Sequence, residues 1–396
     1  MMSKSKVPQI RFKGFNKEWE ESKLNEKAFI TMGQSPVSSS YNENSIGLPL
    51  IQGNADCKDR KTSPRIFASQ LTKECFKDDI VMTVRAPVGY VSKSIHHACI
   101  GRGVCAIKPK EDTNFLFQFL INYENQWLKL SQGSTFTAVN SDDIKNLNIT
   151  VPNEDEQTKI GDYFQQLDKL IEQKEKKYQK LKQFKKASLS KMFPKNGADT
   201  PEIRFKGFSS KWEEKSLSEL IEYKNGKGHE DKQTLSGKYE LINLNSISID
   251  GGLKHSGKFV NETESTLNEN DLVMVLSDVG HGDLLGRVAL IPENNKFVLN
   301  QRVALLRPFN NIIPQFLFYN INVNQKYFKM QGAGMSQLNI SKSSVESFIS
   351  YIPSDLKEQQ KIGNYFQKLD KQIDLQQKEL EKLKNIKKAS LSKMFV

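Results

Sequence analysis

The sequence predicts an α+β protein: two globular mixed α/β domains at opposite ends of an intramolecular antiparallel two-helix coiled coil, related by a pseudo-twofold internal repeat. Three observations carry this expectation. The nonamer KKASLSKMF occurs at residues 185–193 and again at 387–395. Each copy closes a stretch whose apolar residues follow heptad spacing. The segment after the first copy is too short to lead the chain back along a helix before the second half begins.

The repeat is larger than nine residues. PQIRFKGF at 8–15 returns as PEIRFKGF at 201–208, followed at the same offset by Trp19 and Trp212. EQTKIGDYF at 156–164 returns as EQQKIGNYF at 358–366, and from there through the nonamer 25 of 38 positions are identical without a gap. Between these anchors only short strand-like runs can be matched, DIVMTV at 79–84 with DLVMVL at 271–276 and VCAIKP at 104–109 with VALLRP at 303–308. The frame is duplicated and its content is not. The expected organisation is a first domain at 1–152, a first long helix at 153–193, a linker at 194–200, a second domain at 201–353 and a second long helix at 354–396.

The helices announce themselves at both ends. Asn153 and Asp355 stand at N-cap positions after Pro152 and Pro353, with Glu156 and Glu358 placed for a capping box. The apolar seam then runs Ile160, Phe164, Leu167, Ile171, Tyr178, Leu181 in the first copy and Ile362, Phe366, Leu369, Ile373, Leu380, Leu383 in the second, interrupted by polar Lys174 and Gln376. A period of 3.5 suits two helices wound together; an amphipathic helix lying on its own domain is the alternative. Lys182, Lys185, Lys186 and Lys191 crowd the last turns, where they complement the helix dipole. Each helix would be about 57 Å long, whereas seven extended linker residues reach about 25 Å, so the two should run antiparallel.

Composition bounds the function. The chain has 396 residues, 58 Lys plus Arg against 46 Asp plus Glu, and a net charge of +12, which favours a polyanionic partner. No apolar run approaches a membrane span and no signal peptide is evident, so the protein reads as cytoplasmic, with no membrane association. Cys57, Cys75, Cys99 and Cys105 lack Cys-x-x-Cys spacing and read as reduced, mostly buried thiols.

In this order, the entry motif IRFKGF with its Trp, a variable domain, the EQ-x-KIG-x-YF helix opening and the KKASLSKMF close resemble the specificity subunits of type I DNA restriction-modification enzymes. The passages at 133–157 and 332–359 look like that family's transition from target recognition domain into helix. The resemblance spans essentially the whole chain. It implies that each variable domain is a target recognition domain reading one half of a bipartite, asymmetric double-stranded DNA target, and that the coiled coil sets the spacer. It also implies two methyltransferase subunits and two restriction (motor-nuclease) subunits as partners. S-adenosylmethionine, ATP and Mg would then belong to those partners, with no cofactor or metal in this chain and no catalysis of its own.

Candidate DNA contacts follow from residue chemistry, since Arg can pair with guanine edges while Lys mostly neutralises phosphate. In the first domain they are Lys58, Arg60, Lys61, Arg65, Arg85, Lys93 and Arg102. In the second they are Lys227, His229, Lys254, His255, Arg287 and Arg302. Asn54, Gln301 and Gln337 are candidates for adenine. The alternative for each is an exposed cation or turn residue without a ligand.

Enzymatic signals are weak. VGHGDLLG at 279–286 is followed by the strand-like RVALIP rather than the helix a nucleotide-binding turn requires. The two His and two Cys of HHACIGRGVC at 96–105 have no usual zinc spacing. The chain contains no Asn-Pro-Pro-aromatic motif, no Pro-Asp pair and no phosphate-binding Gly-x4-Gly-Lys-Ser/Thr. Two rivals to a DNA recognition subunit remain: a self-sufficient DNA methyltransferase or nuclease, and a coiled-coil scaffold with no DNA role.

Overall fold

A computed structural model of the chain describes residues 7–131, 138–195, 198–278, 282–333 and 337–396. Parts of three motifs read above, 133–137, 279–281 and 334–336, lie outside the described residues. The chain divides into two compact units: residues 1–176 with 378–396, and residues 177–377. Both are α+β.

In the first unit a six-stranded sheet runs from the edge strand Ala28–Met32 through Val104–Pro109, Ile80–Thr83 and Val91–Lys93, in that order. A five-stranded sheet carries Leu48–Ile51 hydrogen-bonded in parallel to Ala98–Ile100. The run Ile80–Thr83 is buried throughout because it is covered on both faces. Ile80 and Met82 join a core with Phe115, Leu120 and Trp127 of the helix Thr113–Ser131, while Val81 packs with Ile51 and Ile100 of the other sheet. The second unit repeats this logic: Leu272 and Met274 face Phe316 and Leu317, whereas Val273 and Val275 face Ile242 and Ile291. Among the described residues its sheets have four, three, two and two strands, the largest built on Ile221–Asn225, Val303–Pro308, Leu272–Val275 and Val288–Leu290. All four cysteines are free, three of them buried.

The long helices span Glu154–Met192 and Leu356–Met394. Asn153 Oδ1 accepts from Glu156 N at 3.0 Å and Asp355 Oδ1 from Lys357 N at 2.8 Å, as N-caps do. The glutamates expected to complete capping boxes have other partners. Glu156 accepts side-on from Arg11, Nε to Oε1 and Nη2 to Oε2 at 2.6 Å each, and Glu358 accepts from Arg204 in the same way at 2.6 and 2.7 Å. Both carboxylates are buried, so a two-bond partner replaces the water they lose. The shared IRF and EQ motifs are therefore two halves of one ion pair, formed once in each unit. Gly161 and Gly363 let each helix cross a neighbouring helix N-terminus. A Cβ there would lie 2.2 Å from Asp112 Oδ1 in one unit and 2.9 Å from Gln315 Cβ in the other.

Inside each unit the opening of one long helix lies antiparallel to the close of the other. In the first unit Asp168 pairs with Lys387 at 2.6 Å, Tyr163 Oη meets Ser390 Oγ at 3.0 Å, and Lys174 pairs with Glu379. In the second, Asp370 pairs with Lys185 at 2.5 Å and Tyr365 Oη meets Ser188 Oγ at 3.4 Å. The nonamer ends in an aromatic seat. Phe395 lies 5.4 to 6.3 Å from the rings of Phe115, Phe164, Phe119 and Trp19, and Phe193 5.5 to 6.4 Å from Phe316, Phe366 and Trp212. Entry motifs hydrogen-bond the same helix ends, Ile10 N to Lys393 O at 3.0 Å and Ile203 N to Lys191 O at 2.9 Å. Of the seam, Ile160, Phe164, Leu167, Ile362, Phe366, Leu369 and Leu380 are buried, as is the polar Gln376, while Ile171, Tyr178, Leu181, Ile373 and Leu383 are half-buried.

Candidate nucleic-acid interface

Each unit carries a cleft beside the loop that leaves the edge strand of its largest sheet, Ala28–Met32 in one and Ile221–Asn225 in the other. A glycine follows each strand, Gly33 in one unit and Gly226 in the other, and both donate to the strand alongside, to Val104 O at 3.0 Å and Val303 O at 2.9 Å. A Cβ at either would collide with the adjoining turn, 2.0 Å from Gly101 O or 1.8 Å from Asn300 O, so the loop hugs that turn. The first cleft, about 740 Å³, is lined by this loop and by Gln52, Asn54, Arg85 and Arg102. The second, about 610 Å³, is lined by Lys227, His229, Lys232, Glu264 and Arg307. The loop is common to both clefts. The remaining walls come from different strands and carry different chemistry.

The predicted contact residues divide by environment. Arg85 and Arg102 are exposed at the first cleft, Arg85 where the buried central strand ends, and Arg102 in the turn before Val104. Asn54 is exposed beside them. Lys58 is exposed in a short hairpin. Arg65 donates to Asp56 at 2.9 Å, and Lys61 pairs with Glu172 of the long helix at 3.0 Å. Arg60 turns inward: it donates to both oxygens of Glu124 and to Val91 O at 3.2 Å, and lies 4.4 Å over the Tyr90 ring. Lys93 is also held inside, donating to Asn114 Oδ1 near Asp112 and Asp168; burial lowers its ammonium pKa despite the nearby carboxylates.

In the second unit Lys227 lines the cleft, paired with Glu264 at 3.1 Å, and His229 Nδ1 lies 3.3 Å from Asn300 Oδ1. His255 Nδ1 lies 2.9 Å from Glu240 Oε1, and Lys254 is exposed. Arg302 is exposed with φ of 65°, a left-handed conformation. Arg287 is half-buried, donating to Asn322 O at 3.2 Å, and burial lowers its pKa. Gln301 donates to Glu230, and Gln337 to Ser277 Oγ at 2.8 Å. The clefts thus gather Asn54, Arg85 and Arg102 on one unit and Lys227 and His229 on the other, leaving the remaining candidates outside their walls. Sequence reasoning missed Ser35, Tyr41 and Gln52 in the first cleft and Arg307 in the second. Their only signal is a place at the end of, or opposite, a buried strand.

The family model for the type I restriction modification DNA specificity domain matches the chain twice, over residues 16–183 and 209–385. The chain belongs to this family. A type I restriction enzyme specificity subunit of Methanocaldococcus jannaschii, MjaX, is 37% identical over 174 residues, which cover 43% of this chain and 41% of that protein. The chain thus spans less than half of that relative. The MjaIX specificity subunit of the same organism is 22% identical over 96% of this chain and 93% of its own length. The fold is similar to that of the S subunit of a type I restriction-modification system from M. genitalium, with a TM-score of 0.70 at 19% identity, covering 98% of this chain and 99% of that one. Among the described residues no group of three or more His, Cys, Asp or Glu could hold a metal, and no helix is long and apolar enough to cross a membrane.

Proposed function

We propose that this specificity subunit reads an asymmetric bipartite DNA site, one half with each unit. The observation that carries the reading is the pair of clefts, which share one loop of a duplicated frame but have unlike walls. Identical walls would suit a palindrome; Arg85, Arg102 and Asn54 on one side against Lys227 and His229 on the other suit two unrelated half-sites. The net charge of +12 supplies sequence-independent attraction to the phosphate backbone. The long helices set the spacer. Two methyltransferase subunits, and for cleavage two motor-nuclease subunits, complete the complex in the cytoplasm and bring S-adenosylmethionine, ATP and Mg. Mapping methylated bases in DNA modified by the assembled complex tests this. One gapped motif with two unlike halves is expected. Methylation without sequence preference, or methyl transfer by the purified chain alone, would overturn the reading.

A further inference from the structure

One position of the duplicated frame stands beside both clefts and carries a different polar side chain in each unit. The buried central strands Ile80–Thr83 and Leu272–Val275 run on into Val84 and Leu276, whose N–H groups donate to Gly103 O at 2.9 Å and to Arg302 O at 3.0 Å. Gly103 and Arg302 are therefore equivalent, and so are the residues before them, Arg102 and Gln301. The turn agrees one residue further back. Gly101 N donates to Ile51 O at 2.8 Å and Asn300 N to Ile242 O at 2.9 Å, and the carbonyls of Gly101 and Asn300 are the ones that press against Gly33 and Gly226. Arg102 and Gln301 are both exposed.

Arg102 is held at its backbone, where its N–H donates to Ser35 Oγ at 3.2 Å, and it lines the first cleft. Gln301 stands at the lip of the second. A Cβ on Gly228, a wall residue of that cleft, would lie 3.7 Å from Gln301 Oε1, and the preceding Asn300 Oδ1 lies 3.3 Å from Nδ1 of His229, another wall residue. The Gln301 amide has a settled orientation, because Nε2 donates to Glu230 and a carboxylate only accepts. An amide nitrogen carries two hydrogens, and this contact uses one. The other N–H and Oε1 remain, a donor beside an acceptor.

On the DNA-reading function proposed above, we infer that this frame position reads one base in each half-site, guanine through Arg102 and adenine through Gln301. In the major groove guanine N7 and O6 both accept, which suits the paired donors of a guanidinium. Adenine offers the N6 amino donor beside the N7 acceptor, which suits a donor beside an acceptor. Exchanging the bases would set Arg102 donors against an amino group and Gln301 Oε1 against guanine O6 with no proton between them. Two copies of one backbone turn thus deliver two unlike readers.

The test uses the full chain assembled with its methyltransferase partners, S-adenosylmethionine, and duplexes carrying every single-base change in both half-sites. Methylation by the wild-type complex should fall about tenfold or more when guanine is replaced at one position of the first unit's half-site, and when adenine is replaced at one position of the second's. Arg102→Gln should turn the first preference to adenine and Gln301→Arg the second to guanine, each leaving the other half-site unchanged. Arg102→Ala and Gln301→Ala remove exposed side chains, so they should keep the wild-type melting temperature and cut discrimination at the same single position to within about threefold. These two decide the question where an exchanged side chain is not tolerated. Unchanged discrimination in the folded variants, relaxation at a position that prefers a different base, loss spread over several positions, or loss in the other half-site overturns the assignment of these residues. Absence of any sequence preference in the wild-type complex overturns the DNA-reading function itself.

Discussion

Arg11 and Glu156, 145 positions apart, are joined by two hydrogen bonds of 2.6 Å, with the carboxylate wholly buried and the guanidinium nearly so. The bond ties the entry motif to the first turn of the long helix, and Arg204 does the same with Glu358. Removing only the cation strands a buried charge. Arg11→Met is therefore expected to destabilise the first unit by about 3 kcal/mol or more, read as a lower urea midpoint. Adding Glu156→Gln should recover part of the loss. An unchanged midpoint for Arg11→Met would show that the pair contributes nothing net.

The aromatic seats predict which unit each nonamer serves. Phe395→Ala should cost about 3–5 kcal/mol in the first unit, and Phe193→Ala a similar amount in the second. Hydrogen exchange resolved by peptide would show the loss confined to one unit in each variant. With Trp19 and Trp127 replaced by Phe, the emission of Trp212, beside Phe193, gives a second readout and should shift in Phe193→Ala and hold in Phe395→Ala. Loss of protection in the wrong unit would contradict the packing described.

Gly161→Ala should be worse than its helix propensity suggests. Alanine normally stabilises a helix interior by about 1 kcal/mol over glycine, but here its methyl would enter the cap of the neighbouring helix at Asp112. A net fall in melting temperature is expected; a rise would mean the crossing has room to spare.

Arg85 and Arg60 should separate binding from folding. Arg85 is exposed at the cleft, so Arg85→Ala should weaken DNA binding by the complex about tenfold or more and leave the melting temperature unchanged. If the contact is to phosphate, the slope of log affinity against log salt should also fall by about 0.9. Arg60→Ala should lower stability, because it releases Glu124, Val91 O and Tyr90 together. The reverse pattern would place the DNA surface elsewhere.

One heptad inserted in both long helices, after Ile171 and after Ile373, preserves the seam and adds about 10 Å, equivalent to about three base pairs. Surviving methylation should prefer a longer spacer with both half-sites unchanged. A folded double insertion that still modifies only the original spacer would rule out the helices as a ruler.

The parts legible in the sequence are those fixed by repetition and period. Heptad spacing anticipates helices now bounded at 154–192 and 356–394, and the unbroken IVMT and LVMV runs mark strands covered on both faces. What stayed hidden depends on pairing across distance. Glu156 three residues after Asn153 looks like a capping box until Arg11 arrives from 145 positions away. Charge alone does not separate Arg85, open at a cleft, from Arg60, folded back in a left-handed turn onto Glu124. Tyr41 and Gln52 are ordinary in the sequence. Only the fold brings them together at the first cleft, where Gln52 Nε2 donates to Tyr41 Oη and Tyr41 Oη to Pro36 O.

The seat of Phe395 also bears on the order of synthesis. The second unit, residues 177–377, is one uninterrupted stretch, so every residue it needs has been made before the ribosome reaches position 378. The first unit begins earlier and finishes later, because Trp19, Phe115 and Phe164 wait for a ring translated more than two hundred positions after the last of them. A chain cut short anywhere before residue 395 thus leaves an oily socket open on its older half, marking an incomplete product for the cell's protein quality control.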